Sequence, residues 1–395
     1  VTTPKVVTGF HTAGPVTSIA SSGGHALAVI DGVFLPTVYP AVQDEATDQY
    51  PVNAWGWNST MQLGTGNSYN ASIPLPVLFE PSSKPSQVVA GDGFSCALVD
   101  GEPWCWGSNA NGRTGIGTTS GNAAEPVKVT KTWTGSVERL SLMHSTVCAL
   151  TDAREVWCWG QSDMGTVGNG TNGNQTTAVQ VVLPAPALSV SVGMRHGCAV
   201  VEGNDLYCWG YNTSNMVTPG AGAAGIQRPT LVTGFPLGKT RVSAVSVGET
   251  YTCAVVGAAA ELYCWGNTSY GIGTGGTAAA WPARVNLTGV TLLESGRTHT
   301  CAVADSGLSC FGTGSSGQLG TGNTGNSTVP VKVTALAGKT VTALSLGDRS
   351  TCALTEGGTP WCWGYNYYGQ AGDGTNVPVT TPKVVTGFHT AGPVT

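Results

Sequence analysis

Charge is scarce in this sequence: Asp, Glu, Lys and Arg make up only 10% of its 395 residues, and the formal net charge is −5. It has no basic tail or cluster, which argues against an electrostatic surface for nucleic acid or for an anionic membrane. It also lacks any apolar run of about 18 residues, so no membrane-spanning helix is predicted. Nucleic acid and the lipid bilayer are therefore not expected partners.

Helical periodicity is missing as well. The apolar runs are short and alternating or β-branched, as in Val242–Val247 and Thr340–Leu346, and they lie between turns rich in Gly, Asn, Ser and Thr. This pattern predicts an all-β fold of short strands. A chain of this length often forms several domains, but repeat folds grow by adding units, so one large domain is expected.

A repeated unit organises the chain. Residues Cys96–Gly107 consist of two apolar runs joined by a turn, and five further copies keep both cysteines, whereas a seventh has Leu27 and Ala54 in their places. A spacing of 46 to 56 residues between copies is typical of a propeller blade. The glycines that close the copies are Gly56, Gly107, Gly160, Gly210, Gly266, Gly312 and Gly364.

The cysteines indicate the strand register. A turn at Asp100-Gly101 places Cys96 directly opposite Cys105, and such cross-strand pairs can form a disulfide. The copy without cysteines has lost both, as expected if they act in pairs. The alternatives are twelve buried thiols or, less favoured because no Cys-x-x-Cys occurs, zinc ligands. The predicted pairs are Cys96 with Cys105, Cys148 with Cys158, Cys198 with Cys208, Cys253 with Cys264, Cys301 with Cys310, and Cys352 with Cys362.

These motifs resemble a known family. Cys352-Ala353-Leu354, Trp361-Cys362-Trp363-Gly364 and Gly317-Gln318-Leu319-Gly320 are similar to the repeat of regulator of chromosome condensation (RCC1-like) proteins, here of a secreted, disulfide-containing prokaryotic type. The resemblance implies a seven-bladed β-propeller of four-stranded blades. It implies little about function: one relative is a nucleotide-exchange factor that docks on chromatin, and another is secreted and binds an enzyme with one face.

Residues 1–17 return without a change as residues 379–395, a period of 378 residues. We interpret 18–378 as the propeller, 1–17 as a junction or closing strand, and 379–395 as a closing strand or link to the next propeller of a tandem array. The alternatives are an engineered duplication, an arbitrary choice of chain ends within a filament, or strand donation between chains. Interface candidates in these segments are Val6, Val7, Phe10, Val384, Val385 and Phe388.

The first copy contains an insertion of aromatic and acidic residues, Val33–Pro51, where other copies have a short turn. It is predicted either to contact the neighbouring propeller or to fold back on its own blade. Its acidic residues lack the ordered spacing of a calcium loop. The interface candidates here are Phe34, Leu35, Tyr39, Asp44, Glu45, Asp48 and Tyr50.

Eight Asn-x-Ser/Thr sequons suggest glycosylation, and several follow Trp-Gly, where exposure is expected. Together with paired cysteines they favour an extracellular location. The candidate acceptors are Asn58, Asn70, Asn169, Asn174, Asn212, Asn267, Asn286 and Asn326.

Catalytic constellations are not found, so no enzymatic activity, cofactor or metal is expected. His25, His196 and His299 hold one repeat position that Phe94 and Ser350 fill elsewhere, which favours a structural role. A tryptophan recurs at one position in six copies, and Phe311 takes this position in the sixth copy, as expected of packing residues between blades. We predict an extracellular structural protein, a disulfide-stapled propeller unit of a filament or surface fibre. The alternative is a secreted module that binds a protein or a glycan.

Overall fold

The computed structural model describes residues 12–13, 15–31, 33–34, 51–79, 83, 85–220, 225–236, 241–267, 269, 271–275 and 279–386. Seven antiparallel four-stranded sheets follow one another along the chain, and each consists of four consecutive strands. This is the predicted seven-bladed β-propeller. We number the blades 1 to 7 and call their strands first to fourth, counted along the chain.

Strands of blades 1 to 3 are Val16–Ser21, His25–Ile30, Val52–Gly56 and Ala71–Pro76; Pro85–Ala90, Phe94–Val99, Glu102–Ser108 and Asn122–Lys128; and Val137–Met143, Thr146–Thr151, Val156–Gly160 and Gln175–Val181. Strands of blades 4 and 5 are Ala187–Val192, His196–Val201, Leu206–Gly210 and Ile226–Leu231; and Val242–Val247, Tyr251–Val256, Glu261–Gly266 and Ala279–Arg284. Strands of blades 6 and 7 are Leu292–Ser295, His299–Ala304, Gly307–Gly312 and Ser327–Lys332; and Val341–Leu346, Ser350–Thr355, Thr359–Gly364 and Val379–Val384. Short 3-10 turns span Ala110–Gly112, Asp163–Gly165 and Thr334–Leu336, and a small ribbon pairs Thr12–Ala13 with Val33–Phe34.

The first strands of all seven blades surround a central channel of about 630 Å³. Loops between first and second strands and loops between third and fourth strands emerge on the same side, which we call the top face. The backbone joins these two sets of loops: the Trp57 N–H donates to the Gly24 carbonyl at 2.8 Å, and the Tyr365 N–H donates to the Arg349 carbonyl at 2.9 Å. The top face is thus a ring of similar loops, one set per blade.

Packing between blades depends on one aromatic residue in each third strand. Trp106 is fully buried, and its indole N–H donates to the Gln62 carbonyl of blade 1 at 2.9 Å. Trp159 repeats the contact with the Arg113 carbonyl of blade 2 at 3.1 Å. The predicted role of these residues in packing is confirmed, and the equivalent buried residues are Trp55, Trp209, Trp265, Phe311 and Trp363.

The outermost strands are protected against pairing with other strands. Six of the seven contain a proline, which lacks the N–H that an added strand would bind. Blade 3 has Ala178 instead, which is only 3% exposed and whose carbonyl accepts a hydrogen bond from the Thr132 hydroxyl at 2.8 Å. The prolines are Pro74, Pro126, Pro229, Pro282, Pro330 and Pro382.

Both repeated segments contribute residues to strands of the propeller. Its first strand begins at Val16, inside segment 1–17, and the fourth strand of blade 7 is Val379–Val384, inside segment 379–395. The repeated C-terminal copy therefore supplies the strand that completes blade 7. Its N-terminal counterpart, residues 1–7, lies outside the described residues.

Candidate functional site

All six predicted cysteine pairs are disulfide-bonded in the structure, at Cα–Cα distances of 4.0 to 4.2 Å. Each bond joins directly opposed residues of the second and third strands, as with Cys96 and Cys105. In blade 1 the same register brings Leu27 opposite Ala54, and both are fully buried. Apolar packing in blade 1 thus replaces the covalent bond of the other six blades.

Most interface candidates fall outside the described residues. Val384 is 40% exposed at the end of the outermost strand of blade 7. Val385 was wrongly predicted as an interface residue, because it is fully buried and its N–H donates to the Pro360 carbonyl at 3.0 Å. Phe34 lies in the small ribbon opposite Thr12, which links the insertion to the N-terminal segment. Val6, Val7, Phe10, Leu35, Tyr39, Asp44, Glu45, Asp48, Tyr50 and Phe388 lie outside the described residues.

Two sequon asparagines are not exposed, contrary to the prediction. Asn58 is fully buried and its amide N–H donates to the Asn67 carbonyl at 2.9 Å, while its Oδ1 accepts from the Leu63 N–H at 2.9 Å. Asn212, 1% exposed, holds the corresponding loop of blade 4 through Thr218. These side chains organise the loop after Trp-Gly and leave no room for a glycan. Asn70, Asn174, Asn286 and Asn326 are exposed, and Asn169 and Asn267 are half-buried.

The three repeat-position histidines join neighbouring blades. His196 Nε2 lies 2.7 Å from the Thr252 hydroxyl of blade 5, which donates in turn to the Met216 carbonyl of blade 4 at 2.7 Å. Because that hydroxyl donates its own proton, the imidazole Nε2–H is the donor in the first bond. The same relay runs from His25 through Ser95 and from His299 through Thr351. Burial lowers the pKa of all three to about 3, so they are neutral and structural.

A ring of charged residues surrounds the channel at the top face. Glu249, whose side chain is only 7% exposed, lies 2.9 Å from Arg297 and 3.7 Å from Arg195, and Arg297 reaches Asp348 at 3.5 Å. Across the ring, His144 lies 3.6 Å from Asp92. A cavity of about 200 Å³ opens between these loops. Blades 2 to 7 each contribute one of these six residues, so nothing in the local sequence signals the ring.

A cluster of aromatic side chains lies on the top face where blade 7 meets blade 1. We define the aromatic cluster as Trp57, Tyr365, Tyr367 and Tyr368. Trp57 stacks on Tyr368 at 5.9 Å between ring centroids, and Tyr365 contacts Tyr367 edge-to-face at 4.9 Å. Tyr367 is 58% exposed and Tyr368 is 38% exposed. This cluster was not predicted from the sequence, although three tyrosines within four positions, Tyr365, Tyr367 and Tyr368, were a visible signal.

The channel wall contains one unusual group. Ser191 and Ser246 of blades 4 and 5 each accept a backbone N–H of the next blade, at 3.2 and 2.8 Å. Blade 6 has Glu294 at this position, and burial raises the pKa of its carboxyl to about 8, an effect that Arg139 opposes. Within the described ranges no group of three or more His, Cys, Asp or Glu could hold a metal ion. None of the helices in those ranges has the length and apolar character to cross a membrane.

Known proteins share this repeat. The model of the regulator of chromosome condensation (RCC1) repeat matches residues 52–98 and 308–354, and a second RCC1 repeat model matches residues 188–215 and 341–370. The two longer matches begin in a third strand and end in a second strand, so the sequence repeat is offset from the structural blade.

Curated relatives include the ultraviolet-B receptor UVR8 of Arabidopsis thaliana, 30% identical over 319 residues that make up 77% of this chain and 70% of the receptor. The mitochondrial RCC1 domain-containing protein RUG3 of Arabidopsis thaliana is 28% identical, over 79% of this chain and 76% of its own. The human E3 ubiquitin-protein ligase HERC2 is 27% identical over 85% of this chain, which spans only 7% of that ligase.

Solved structures agree on the fold. Human WBSCR16 has a TM-score of 0.72 with 21% identity, over 84% of this chain and 92% of its own. Yeast RCC1 (Prp20), solved with Kap60, has a TM-score of 0.71 with 19% identity, over 84% of this chain and 82% of its own. At these identities the likeness concerns the fold alone. The similarity to the receptor and the repeat matches together establish that the chain belongs to the RCC1 repeat family.

Proposed function

We propose that this chain is an extracellular, non-enzymatic structural protein in which disulfide-stapled propellers follow one another as a tandem array. The observation that carries the proposal is the position of the repeated segment. It begins with the outermost strand of blade 7, Val379–Val384, and continues into a second copy of the start of blade 1, because Val16 recurs as Val394 after 378 residues.

The spacing fits a connection between blades. Residues 385–393, nine in all, separate the end of blade 7 from the recurrence of Val16. The other connections within the propeller contain five to ten residues: 77–84, 129–136, 182–186, 232–241, 285–291 and 333–340. Since seven blades already close the ring, an eighth blade in this register would start another propeller.

The blocked outer edges favour a covalent link over strand donation. A proline removes a backbone N–H from six of the outermost strands, and the Thr132 hydroxyl occupies the Ala178 carbonyl of the seventh. Fewer backbone groups are therefore free to pair with a strand of a second molecule. Six disulfides, each contributing about 2 to 4 kcal/mol against unfolding, suit a durable protein in an oxidising compartment. Glycosylation of the exposed sequon asparagines would be a further modification of such a surface.

The denatured, fully reduced mass of the native material tests this proposal. A tandem array has a mass far above the 40.1 kDa of this chain, and proteolysis between propellers reduces it to fragments close to that size. A single reduced species near 40 kDa would refute the covalent array.

A second candidate function is a secreted module that binds a partner with its top face. The exposed aromatic cluster favours it, because within the described residues such a cluster occurs at one blade junction, between blades 7 and 1. This proposal predicts a discrete propeller in solution, measured by sedimentation, with a ligand that protects the aromatic cluster from chemical modification.

A further inference from the structure

The aromatic cluster combines exposure with a fixed arrangement. Tyr367 is 58% exposed, so at least one face of its ring is open to solvent. Trp57 lies directly over the Gly24 backbone, where a Cβ atom would meet its ring at 2.9 Å. Tyr365 is held from below by the hydrogen bond from its N–H to the Arg349 carbonyl. The rings therefore form a platform that is anchored on both blades.

The fold does not require the two exposed tyrosines. A loop follows the third strand in each blade, and the Tyr367 position of that loop is filled elsewhere by small or polar residues. In blade 1 the Tyr367-Tyr368 pair corresponds to Ser59-Thr60. Residues at the Tyr367 position of the other blades are Ser59, Ala110, Asp163, Thr213, Ser269 and Ser315. Blade 5 has Tyr270 at the Tyr368 position, a residue outside the described ranges. Among the described residues, two large neighbouring rings are exposed in the blade 7 loop alone, a feature that packing does not explain.

Polar groups adjoin the platform. The Arg349 side chain is 56% exposed, and only its Nε approaches Asp348, at 3.8 Å. Arg349 adjoins the platform because its carbonyl accepts the Tyr365 N–H at 2.9 Å. The site thus offers open ring faces beside planar hydrogen-bond donors and a carboxylate.

We infer that the aromatic cluster, with Arg349 and Asp348, is a binding site for a carbohydrate chain. A pyranose ring has an apolar face of C–H groups that stacks on an aromatic ring, and its hydroxyls are arranged around the rim where guanidinium and carboxylate groups bind them. The size agrees: Tyr367 and Tyr368 together expose on the order of 200 Å². A typical protein interface buries about 800 Å² on each partner, which the cluster does not approach.

The chain itself supplies a matched replacement. Tyr367→Ser combined with Tyr368→Thr gives blade 7 the residues that blade 1 carries in the same loop, so the fold should be preserved. Tyr69→Ser is the control, since Tyr69 is 79% exposed on the blade 1 loop and lies outside the aromatic cluster. Binding is measured by titration calorimetry with three probes: the hexaoses of β-1,4-glucose, of β-1,4-N-acetylglucosamine and of galacturonic acid.

We expect the unmodified chain and the Tyr69→Ser control to bind at least one hexaose equally well, and the double variant to bind it about tenfold more weakly or not at all. Equal affinity in the double variant, or no binding of any probe to the unmodified chain, would overturn the inference. This inference rests on the second proposed function, and the two can fail separately. A protein ligand that binds the unmodified chain but not the double variant would retain the binding module and exclude the carbohydrate. If the double variant bound carbohydrate and protein ligands as well as the unmodified chain does, both the carbohydrate site and a binding module that uses the aromatic cluster would be excluded.

Discussion

Acid should destabilise this propeller through three histidines. His25, His196 and His299 have pKa values of about 3 in the folded chain, against an ordinary value of 6.5. Between these values the unfolded chain binds a proton at each histidine and the folded chain does not. Their stabilising contribution is therefore complete above pH 6.5 and is lost as the pH falls toward 3.

Glu294 acts in the opposite direction. Its pKa is raised from 4.5 to about 8, so between these values the folded chain holds a proton that the unfolded chain lacks, and stability falls as pH rises. Between pH 4.5 and 6.5 the unfolded chain binds up to three more protons than the folded chain at the histidines and one fewer at Glu294. The net difference is about two protons. At about 1.4 kcal/mol for each proton, the free energy of unfolding should fall by about 2 kcal/mol, on average, for each pH unit of acidification in this range.

The test replaces all three histidines by Phe, the residue that blade 2 holds at this position as Phe94. Urea unfolding with the disulfides intact, followed by tryptophan fluorescence at about pH 7.5, 6.5 and 5.5, gives the free energy of unfolding at each pH. The unmodified chain should lose about 2 kcal/mol between the last two values, because the three histidines are only half protonated in the unfolded chain at pH 6.5 and Glu294 acts in the opposite direction. In the triple variant this loss should disappear, since of these four groups only Glu294 remains, together with His144, whose pKa burial also lowers. A variant that retains the original pH dependence would refute the assignment.

Single variants refine the prediction. His196 Nδ1 and His299 Nδ1 are buried without a hydrogen-bond partner, so a proton there has no acceptor. His25 Nδ1 instead lies 2.8 Å from the Ser22 hydroxyl, which can accept it. Because burial lowers the pKa of all three to about 3, replacing any one of them should remove about one third of the histidine contribution between pH 5.5 and 6.5.

Three further predictions concern the disulfides, the sequons and the charged ring. Cys96→Ser alone should lower the free energy of unfolding, measured by thermal unfolding, by about 2 to 4 kcal/mol. The paired change Cys96→Leu with Cys105→Ala should lower it less, because blade 1 packs Leu27 against Ala54 at the same positions. Equal losses would contradict this prediction. Glycopeptide mapping of the native material should find Asn58 and Asn212 unmodified, and a glycan on either would contradict the structure. Arg297→Leu should lower the free energy of unfolding by about 1 to 3 kcal/mol, because it removes the guanidinium that lies 2.9 Å from the Glu249 carboxylate, whose side chain is only 7% exposed. The double variant Glu249→Leu with Arg297→Leu should recover part of this loss, and a further loss of stability would contradict the argument.

The fold and the disulfides were predictable because they depend on nearby residues. Cys96 and Cys105 belong to adjacent strands joined by one turn, so the turn alone sets which residues face each other. Seven copies of such a unit bury their apolar faces against each other by packing side by side in a ring. The regular tryptophans were recognisable as packing residues for the same reason.

Contacts between blades could not be predicted, because they join residues about one repeat or a whole ring apart. Trp57 and Tyr368 stack only after blade 7 has closed on blade 1, and Glu249 meets Arg297 only across a blade boundary. Asn58 illustrates the same limit within a loop: the sequence indicated an exposed turn, but the folded loop uses the amide as its own hydrogen-bonding centre. The sequence by itself determined the repeat, the strands and the cysteine pairs, since these follow from local periodicity. Only the closed ring decided which charges, rings and polar side chains meet, because closure brings together groups that are distant along the chain.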